Sequence, residues 1–298
     1  MNLKIVIGLP AYNEEKNIAK LIIQLQNKGY SVIVCNDGSN DMTGEIAEKL
    51  NATVINHKKN KGYGGAIRSI FLKAQEMNVE NLVTFDADGQ HRVEDISSLI
   101  QPIKDDEADI VIGSRFLGQD KSNIPNYRKT GIKVITKIAN VTGEKKLTDS
   151  QSGLRAYNSK AIKSITPSEE GMGVSTEILI KANNTKLRII EIPVKILYEG
   201  DTSTHHPVSH GASVIVSTLK LISIERPLRF YGIPGVVLLS IGFFFSFWAI
   251  QGFAETRQII TNISLIGIGT TILGLIFLMN AILLFTLVNL VREGKDNQ

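Results

Sequence analysis

The sequence predicts an α/β chain in which a mostly parallel, doubly wound sheet is followed by two transmembrane helices. Three observations point there. Short apolar, β-branched runs alternate with helical spacing through roughly the first 200 residues. The polar clusters PAYNEE, NDGS and DADGQH each follow such a run, where parallel sheets collect their ligands. The last quarter holds two uncharged apolar stretches, 233–253 and 263–291. Each exceeds the roughly 20 residues that cross a bilayer.

The elements follow in order. Residues 3–9 are a strand by length and β-branching, stopped by Pro10. Residues 17–26 have helical spacing, and Gly29 ends them. Strands are expected over 31–35, 53–56, 81–85 and 109–112, and helices over 41–50, 66–77 and 132–139. Past Lys160 the pattern loosens to a helix over 174–182 and a strand over 187–197 broken by Pro193. Residues 211–224 have helical spacing with Lys220, Arg226 and Arg229 near their end, which suits a segment lying on a membrane surface or a plain linker helix. The two apolar stretches are joined by a short polar turn, 254–262, and basic residues gather on their outer flanks, including Arg292 and Lys295. The excess of cations puts both flanks on the cytoplasmic side, with the N-terminal domain and the C-terminus. The expected division is a domain over 1–205, an amphipathic juxtamembrane segment over 206–229, and a membrane hairpin with a short tail over 230–298.

Composition narrows the function. Of the 298 residues 43% are hydrophobic, and the formal charge is +4 with pI about 9.0. No long basic run accompanies that mild excess, so nucleic acid is not an expected partner. The single cysteine, Cys35, excludes an internal disulfide and falls in a core strand pattern. The N-terminal apolar run is too short for a signal peptide and ends at Pro10.

The clusters carry the chemistry. In an extended segment Asp86, Asp88 and Gln90 share one face. Hard oxygen ligands of that kind suit Mg2+ or Mn2+, although Asp and Gly also make an ordinary turn after a strand. In PAYNEE, Asn13 is a candidate helix N-cap with acids in the first turn. In NDGS, Asp37 can accept from a base N–H or a ribose hydroxyl, or the segment is a turn into a helix capped by Asn40 or Asp41. Lys61 stands among Gly62, Gly64 and Gly65, which let backbone approach a phosphate or a base. The spacing is not that of a P-loop. Arg115 ends the fifth strand, Tyr127, Arg128 and Lys129 follow, and DSQSGLRAY mixes Asp149 with Arg155. Cations gathered near a carboxylate-bound metal suggest two phosphate-bearing substrates.

The order PAYNEE, DGS-x-D-x-T, N-K-G-x-G-G-A, DADGQH, GSR and D-x-Q-S-G-L-R, over roughly residues 1–200, resembles the family 2 glycosyltransferases. Within them it is similar to the polyprenyl- or dolichyl-phosphate glycosyltransferases. The resemblance implies a GT-A fold and a nucleotide-sugar donor: GDP-mannose, UDP-glucose or UDP-N-acetylglucosamine. It also implies a divalent cation, Mg2+ or Mn2+, and inverting transfer to a polyprenyl or dolichyl phosphate. Carried over by motif, Pro10, Tyr12, Glu14, Asp37, Lys61 and Asp86 would hold the nucleotide-sugar. Asp86, Asp88 and Gln90 would serve ribose and metal, and Arg115, Arg128 and Arg155 would meet the acceptor phosphate. Asp149 would orient Arg155 or the sugar, or act as a base. Two positions depart from the pattern: Asn36 replaces the first aspartate of D-D-G-S, and EGDTSTHHP lacks a diphosphate-binding arginine, leaving His205 or His206 as substitutes. The lipid bilayer is an expected partner, and the membrane helices could support a homo-oligomer. The competing activity is transfer to a glycan or glycolipid hydroxyl, and the competing class is a non-catalytic membrane scaffold.

Overall fold

Alternation along the strands decides the layers. Val6, Ile33, Cys35, Leu82 and Ile110 pack into one core, and their neighbours Ile7, Val32, Val34, Val83 and Val111 into another. Both faces of the sheet are therefore buried, which requires helices on each side. The computed structural model describes residues 5–118, 126–140, 146–195, 216, 219–220, 222–224 and 226–296. It divides into two units, Met1–Thr218 and Leu219–Gln298.

The first unit holds seven strands: β1 (Ile5–Ala11), β2 (Ser31–Asn36), β3 (Thr53–Asn56), β4 (Asn81–Thr84), β5 (Ile110–Ser114), β6 (Arg155–Asn158) and β7 (Ile189–Pro193). They form one sheet in the order β3-β2-β1-β4-β6-β5-β7. Every pairing is parallel except those of β6, which runs antiparallel to both β4 and β5. The helices are α1 (Glu15–Asn27), α2 (Thr43–Lys49), α3 (Gly62–Glu76), α4 (Asp95–Lys104), α5 (Asn126–Ala139), α6 (Ser159–Ser164) and α7 (Val174–Asn184). Ile67, Ile70 and Phe71 of α3 and Ile178 of α7 fill one core, while Ile18 and Ile22 of α1 and Ile96 and Leu99 of α4 fill the other. A mostly parallel sheet with helices on both faces is the predicted class.

Several elements depart from expectation, among them α5, which starts at Asn126 rather than 132, and α6, which was not expected. β1 does not stop at Pro10 but continues to Ala11, with Pro10 opposite Cys35. α3 starts at Gly62, a full turn before the expected start. α4 was not anticipated; its apolar spacing at Ile96, Leu99, Ile100 and Ile103 is helical, but Pro102 lies inside it. β6 was not anticipated either, because a four-residue strand that opens on a charge has no apolar run.

The second unit contains a π-helical turn, Leu228–Gly232, leading into α8 (Ile233–Thr256), and then α9 (Thr261–Asp296). Two segments, Leu228–Thr256 and Thr261–Leu290, are long and apolar enough to cross a membrane. Most of their large side chains are exposed, among them Phe243, Phe247, Ile268 and Leu283. Where α8 and α9 touch, small residues allow close approach: a Cβ on Gly242 would meet Thr271 Oγ1, and one on Gly267 would lie 2.7 Å from Ser246 Oγ. The expected amphipathic segment and His205 and His206 lie mainly or wholly outside the described residues.

Candidate active site

The carboxyl ends of β1, β2 and β4, with the loop after β3, bring PAYNEE, NDGS, DADGQH and NKGYGG to one edge of the sheet. The first two clusters are tied to each other. The Asn13 N–H donates to Ser39 Oγ at 3.0 Å, and Asn13 Oδ1 accepts from the Asn40 N–H at 2.9 Å. The Glu14 N–H donates to Thr43 Oγ1 at 2.8 Å. Asn13 is thus a loop-to-loop tie rather than the expected N-cap, and it takes the left-handed conformation with φ 56°. Glu14 occupies the cap position of α1 without a capping side-chain bond.

Asp37 is buried, and its Oδ1 takes two contacts from inside the protein. The Lys61 N–H donates to it at 2.9 Å, and His57 Nδ1 lies 2.6 Å away. Lys61 itself is exposed, as is Tyr12, while Pro10 is half-buried. The glycines beside Lys61 make a close backbone approach, but the backbone is the chain's own. The N–H groups of Gly64 and Gly65 donate to the Glu170 carbonyl at 2.8 and 3.2 Å. A Cβ on Gly62 would lie 2.6 Å from that same oxygen. The first turn of α3 is therefore closed by residue 170, so the close approach that these glycines allow is to the Glu170 carbonyl.

DADGQH departs from the extended geometry expected of it. β4 ends at Thr84, a turn follows, and the Gln90 N–H donates to Asp88 Oδ1 at 3.0 Å. Asp86 Oδ1 accepts from the Tyr63 hydroxyl at 3.0 Å, and its Oδ2 lies 3.5 Å from His91 Nε2. Burial opposes ionisation of Asp86, but His91, Tyr63 and the charge of Arg115 outweigh it and hold the carboxyl below its usual range. Glu14 moves the other way. Burial pushes its carboxyl up, and the charges of Asp88, Asp41 and Asp86 push in the same direction.

This concentration of negative charge is what a divalent cation would neutralise. Among the described residues no three His, Cys, Asp or Glu side chains cluster as a closed metal cage. A pair of aspartates fits Mg2+ or Mn2+, which complete their shells with water and substrate phosphate. Asp88 and Asp86, with Gln90 beside them, are the residues that would hold it.

Arg115 and Asp149 form a fork. Arg115 Nε donates to Asp149 Oδ2 at 2.6 Å and its Nη2 to Oδ1 at 2.7 Å. Asp149 is fully buried, and despite that burial Arg115 holds its carboxyl below the usual range. Its own loop is fixed by Glu191, which accepts from the Thr148 and Asp149 N–H groups at 2.8 Å each. Asp149 therefore pairs with Arg115, not with Arg155. Arg155 is 2% exposed and donates to the carbonyls of Ser152, Ser175 and Ser150 at 2.8, 3.0 and 2.7 Å. It braces the interior, and its expected contact with an acceptor phosphate is withdrawn. Arg128 lies on α5.

Four contributors were missed from sequence: His57, Tyr63, Gly153 and Glu191. His57 and Glu191 had a signal, since each is a polar residue ending or interrupting an apolar strand, and a buried polar group needs a partner. Gly153 stood within D-x-Q-S-G-L-R, but that it leaves room for Asp86 has no sequence signal.

Comparison with known proteins assigns the arrangement. The sequence profile described as glycosyl transferase family 2 matches residues 6–166. The UDP-N-acetylglucosamine–dolichyl-phosphate N-acetylglucosaminyltransferase of Methanococcus voltae is 36% identical over 233 residues, covering 71% of this chain and 91% of that protein. The dolichyl-phosphate hexose transferase of Haloferax volcanii is 29% identical over 227 residues, covering 76% and 96%. Among solved structures, glucosyl-3-phosphoglycerate synthase from Mycobacterium tuberculosis, in complex with Mn2+ and UDP-glucose, superposes with a TM-score of 0.56 at 19% identity, covering 74% of this chain and 79% of that one. The fold is thus GT-A-like. With its ordered motifs gathered at one sheet edge, the chain belongs to the family 2 glycosyltransferases.

Proposed function

We propose that the chain transfers a sugar from a nucleotide-sugar to a polyprenyl or dolichyl phosphate at a membrane surface, with inversion and with a divalent cation. The observation that carries this reading is the Arg115–Asp149 fork. Asp149, the sequence's candidate base, already serves a cation. A sugar hydroxyl acceptor calls for a base, whereas a phosphate monoester, with its second pKa near 6, is a competent oxyanion at neutral pH. The named relatives support a dolichyl-phosphate acceptor, and the Methanococcus relative makes UDP-N-acetylglucosamine the first donor to try.

The residues divide the work. Asp37, Lys61, Pro10, Tyr12 and Glu14 form the nucleoside side of the site. Asp88 and Asp86 would hold a divalent cation, which would supply charge neutralisation for the leaving diphosphate. Arg115, its guanidinium fixed by Asp149, grips the acceptor phosphate, and Arg128 on α5 adds a second cation. Holding the two phosphates in line with C1 is the main catalytic contribution. Helices α8 and α9 form a hairpin with both ends cytoplasmic, supported by Arg226 and Arg229 before it and Arg292 and Lys295 after it.

The deciding experiment incubates the full chain in membranes with a short polyprenyl phosphate and each of UDP-N-acetylglucosamine, UDP-glucose and GDP-mannose. A mild-acid-labile sugar–phosphate–lipid supports the proposal, and an acid-stable glycoside in its place refutes it. Asp88→Ala and chelator should each abolish the product. Topology is read separately with Arg257→Cys, which an impermeant reagent should label only from outside the cell.

A further inference from the structure

Behind Asp37 lies a buried histidine. His57 follows β3, and its Nδ1 lies 2.6 Å from Asp37 Oδ1. Its Nε2 lies 2.8 Å from Ser69 Oγ on α3 and 3.6 Å from Cys35 Sγ. The His57 and Asp37 side chains are only 4% and 5% exposed.

Each ring nitrogen has a partner. Cys35 keeps its proton, because burial, reinforced by the charge of Asp37, pushes the thiol up to about 12. A carboxylate oxygen only accepts, so Nδ1 carries a proton and donates to Asp37 Oδ1, while the Ser69 hydroxyl, donor or acceptor, pairs with Nε2. The Lys61 N–H donates to the same Oδ1. Both donors converge on one oxygen, and Oδ2 has no hydrogen bond among the described residues.

We propose that His57, braced by Ser69, is a positioning residue for the donor: it clamps Asp37 from the buried side and keeps Oδ2 as a fixed acceptor for an N–H of the base or a ribose hydroxyl. This rests on the reading of Asp37 as a nucleoside contact. A carboxylate held by a buried partner is pre-organised, so the ligand does not bear the cost of ordering it. The contact lies away from the reacting carbon and is made equally in ground and transition states. Its loss therefore appears in donor affinity rather than in the chemical step.

The test titrates the full chain in detergent with UDP and with GDP, each with Mn2+, by calorimetry, beside donor kinetics. His57→Gln still reaches Ser69 but has no donor at the Nδ1 position. His57→Asn places an amide N–H there. His57→Gln should weaken binding of the preferred nucleotide and raise the donor KM by about ten- to a hundred-fold, with a far smaller change in kcat. His57→Asn should recover most of that loss, and Ser69→Ala should lose a few-fold. Asp37→Asn controls for the underlying reading. If it leaves nucleotide binding intact, Asp37 is not the contact and the clamp falls with it. If Asp37→Asn weakens binding but His57→Gln stays within about twofold of wild type, the clamp is wrong while the role of Asp37 stands. Equal losses in the Gln and Asn variants, or a fall in kcat at unchanged donor KM, also overturn it. Should His57→Gln fail to fold, Ser69→Ala decides: a few-fold loss of nucleotide affinity supports the clamp, and unchanged affinity refutes it.

Discussion

A Cβ placed on Gly153 would collide with Asp86 Oδ2 and lie 2.6 Å from Oδ1. The loop entering β6 passes the carboxylate with no room for a methyl group, and Thr84 Oγ1 holds it there through the Gly153 carbonyl at 2.7 Å. Gly153→Ala must displace one or the other. Misplacement of a binding carboxylate by about 1 Å costs on the order of a hundred-fold in rate. We expect kcat/KM for the donor to fall by about that factor, with a loss of about 1–3 kcal/mol in stability from overpacking. Kinetics within threefold of wild type (a margin of about 0.7 kcal/mol) would show that Asp86 is not a positioned ligand.

Asp149→Asn separates an orienting residue from a base. Removing one partner of a buried ion pair costs roughly 3–5 kcal/mol, less where an amide keeps part of the hydrogen bonding. The variant should melt lower and show a raised KM for polyprenyl phosphate. Its pH–rate profile should keep the acid limb, which the acceptor phosphate sets near pH 6. Disappearance of that limb in the variant would restore Asp149 as a base.

Asp109 gives the domain an acid-sensitive tie. Although burial opposes its charge, hydrogen bonds from Arg188 and Asn158 hold its carboxyl down to about 2. A depressed folded pKa means that the stabilisation is complete above the unfolded value near 3.9 and is lost as pH falls toward about 2. After allowance for the exposed Arg188, the contribution is on the order of 1–2 kcal/mol. Urea midpoints measured from pH 5 downward should decline in wild type and run flatter in Asp109→Asn. Parallel curves would remove Asp109 from the acid response.

Cys35 should be inert in the folded chain. Its side chain is fully buried and its thiol is pushed up to about 12, mainly by burial. A thiol reagent at pH 8 should react only after denaturant is added. Prompt labelling of the native protein would mean that β2 opens.

The sheet and its site were legible to different depths. Strands β1 to β5 announce themselves because each is an apolar run ended by polar residues. β6 does not, because its burial comes from the strands on either side of it rather than from its own composition. The motif positions at the β1, β2 and β4 ends, and Lys61 after β3, were readable because chain order alone puts them at one edge of a parallel sheet. Partnerships were not. Asp149 and Arg115 are 34 residues apart, and the loop that carries Asp149 is held in place by Glu191, later still in the chain. Arg155 looked like a ligand because sequence cannot distinguish a cation facing substrate from one capping carbonyls in the interior.

The position of β6 also governs when β5 can join the sheet during synthesis. β4 emerges at residues 81–84 and β5 at 110–114, yet neither pairs with the other. Until residues 155–158 have left the ribosome, β4 keeps a bare edge and β5 has no neighbour at all. The nascent chain thus carries an open, apolar half-sheet through the synthesis of some seventy residues, about 4–14 seconds at ordinary elongation rates. A holdase-type chaperone acting in that interval would be bound most strongly by chains stalled before Arg155, and released once the four-residue strand arrives.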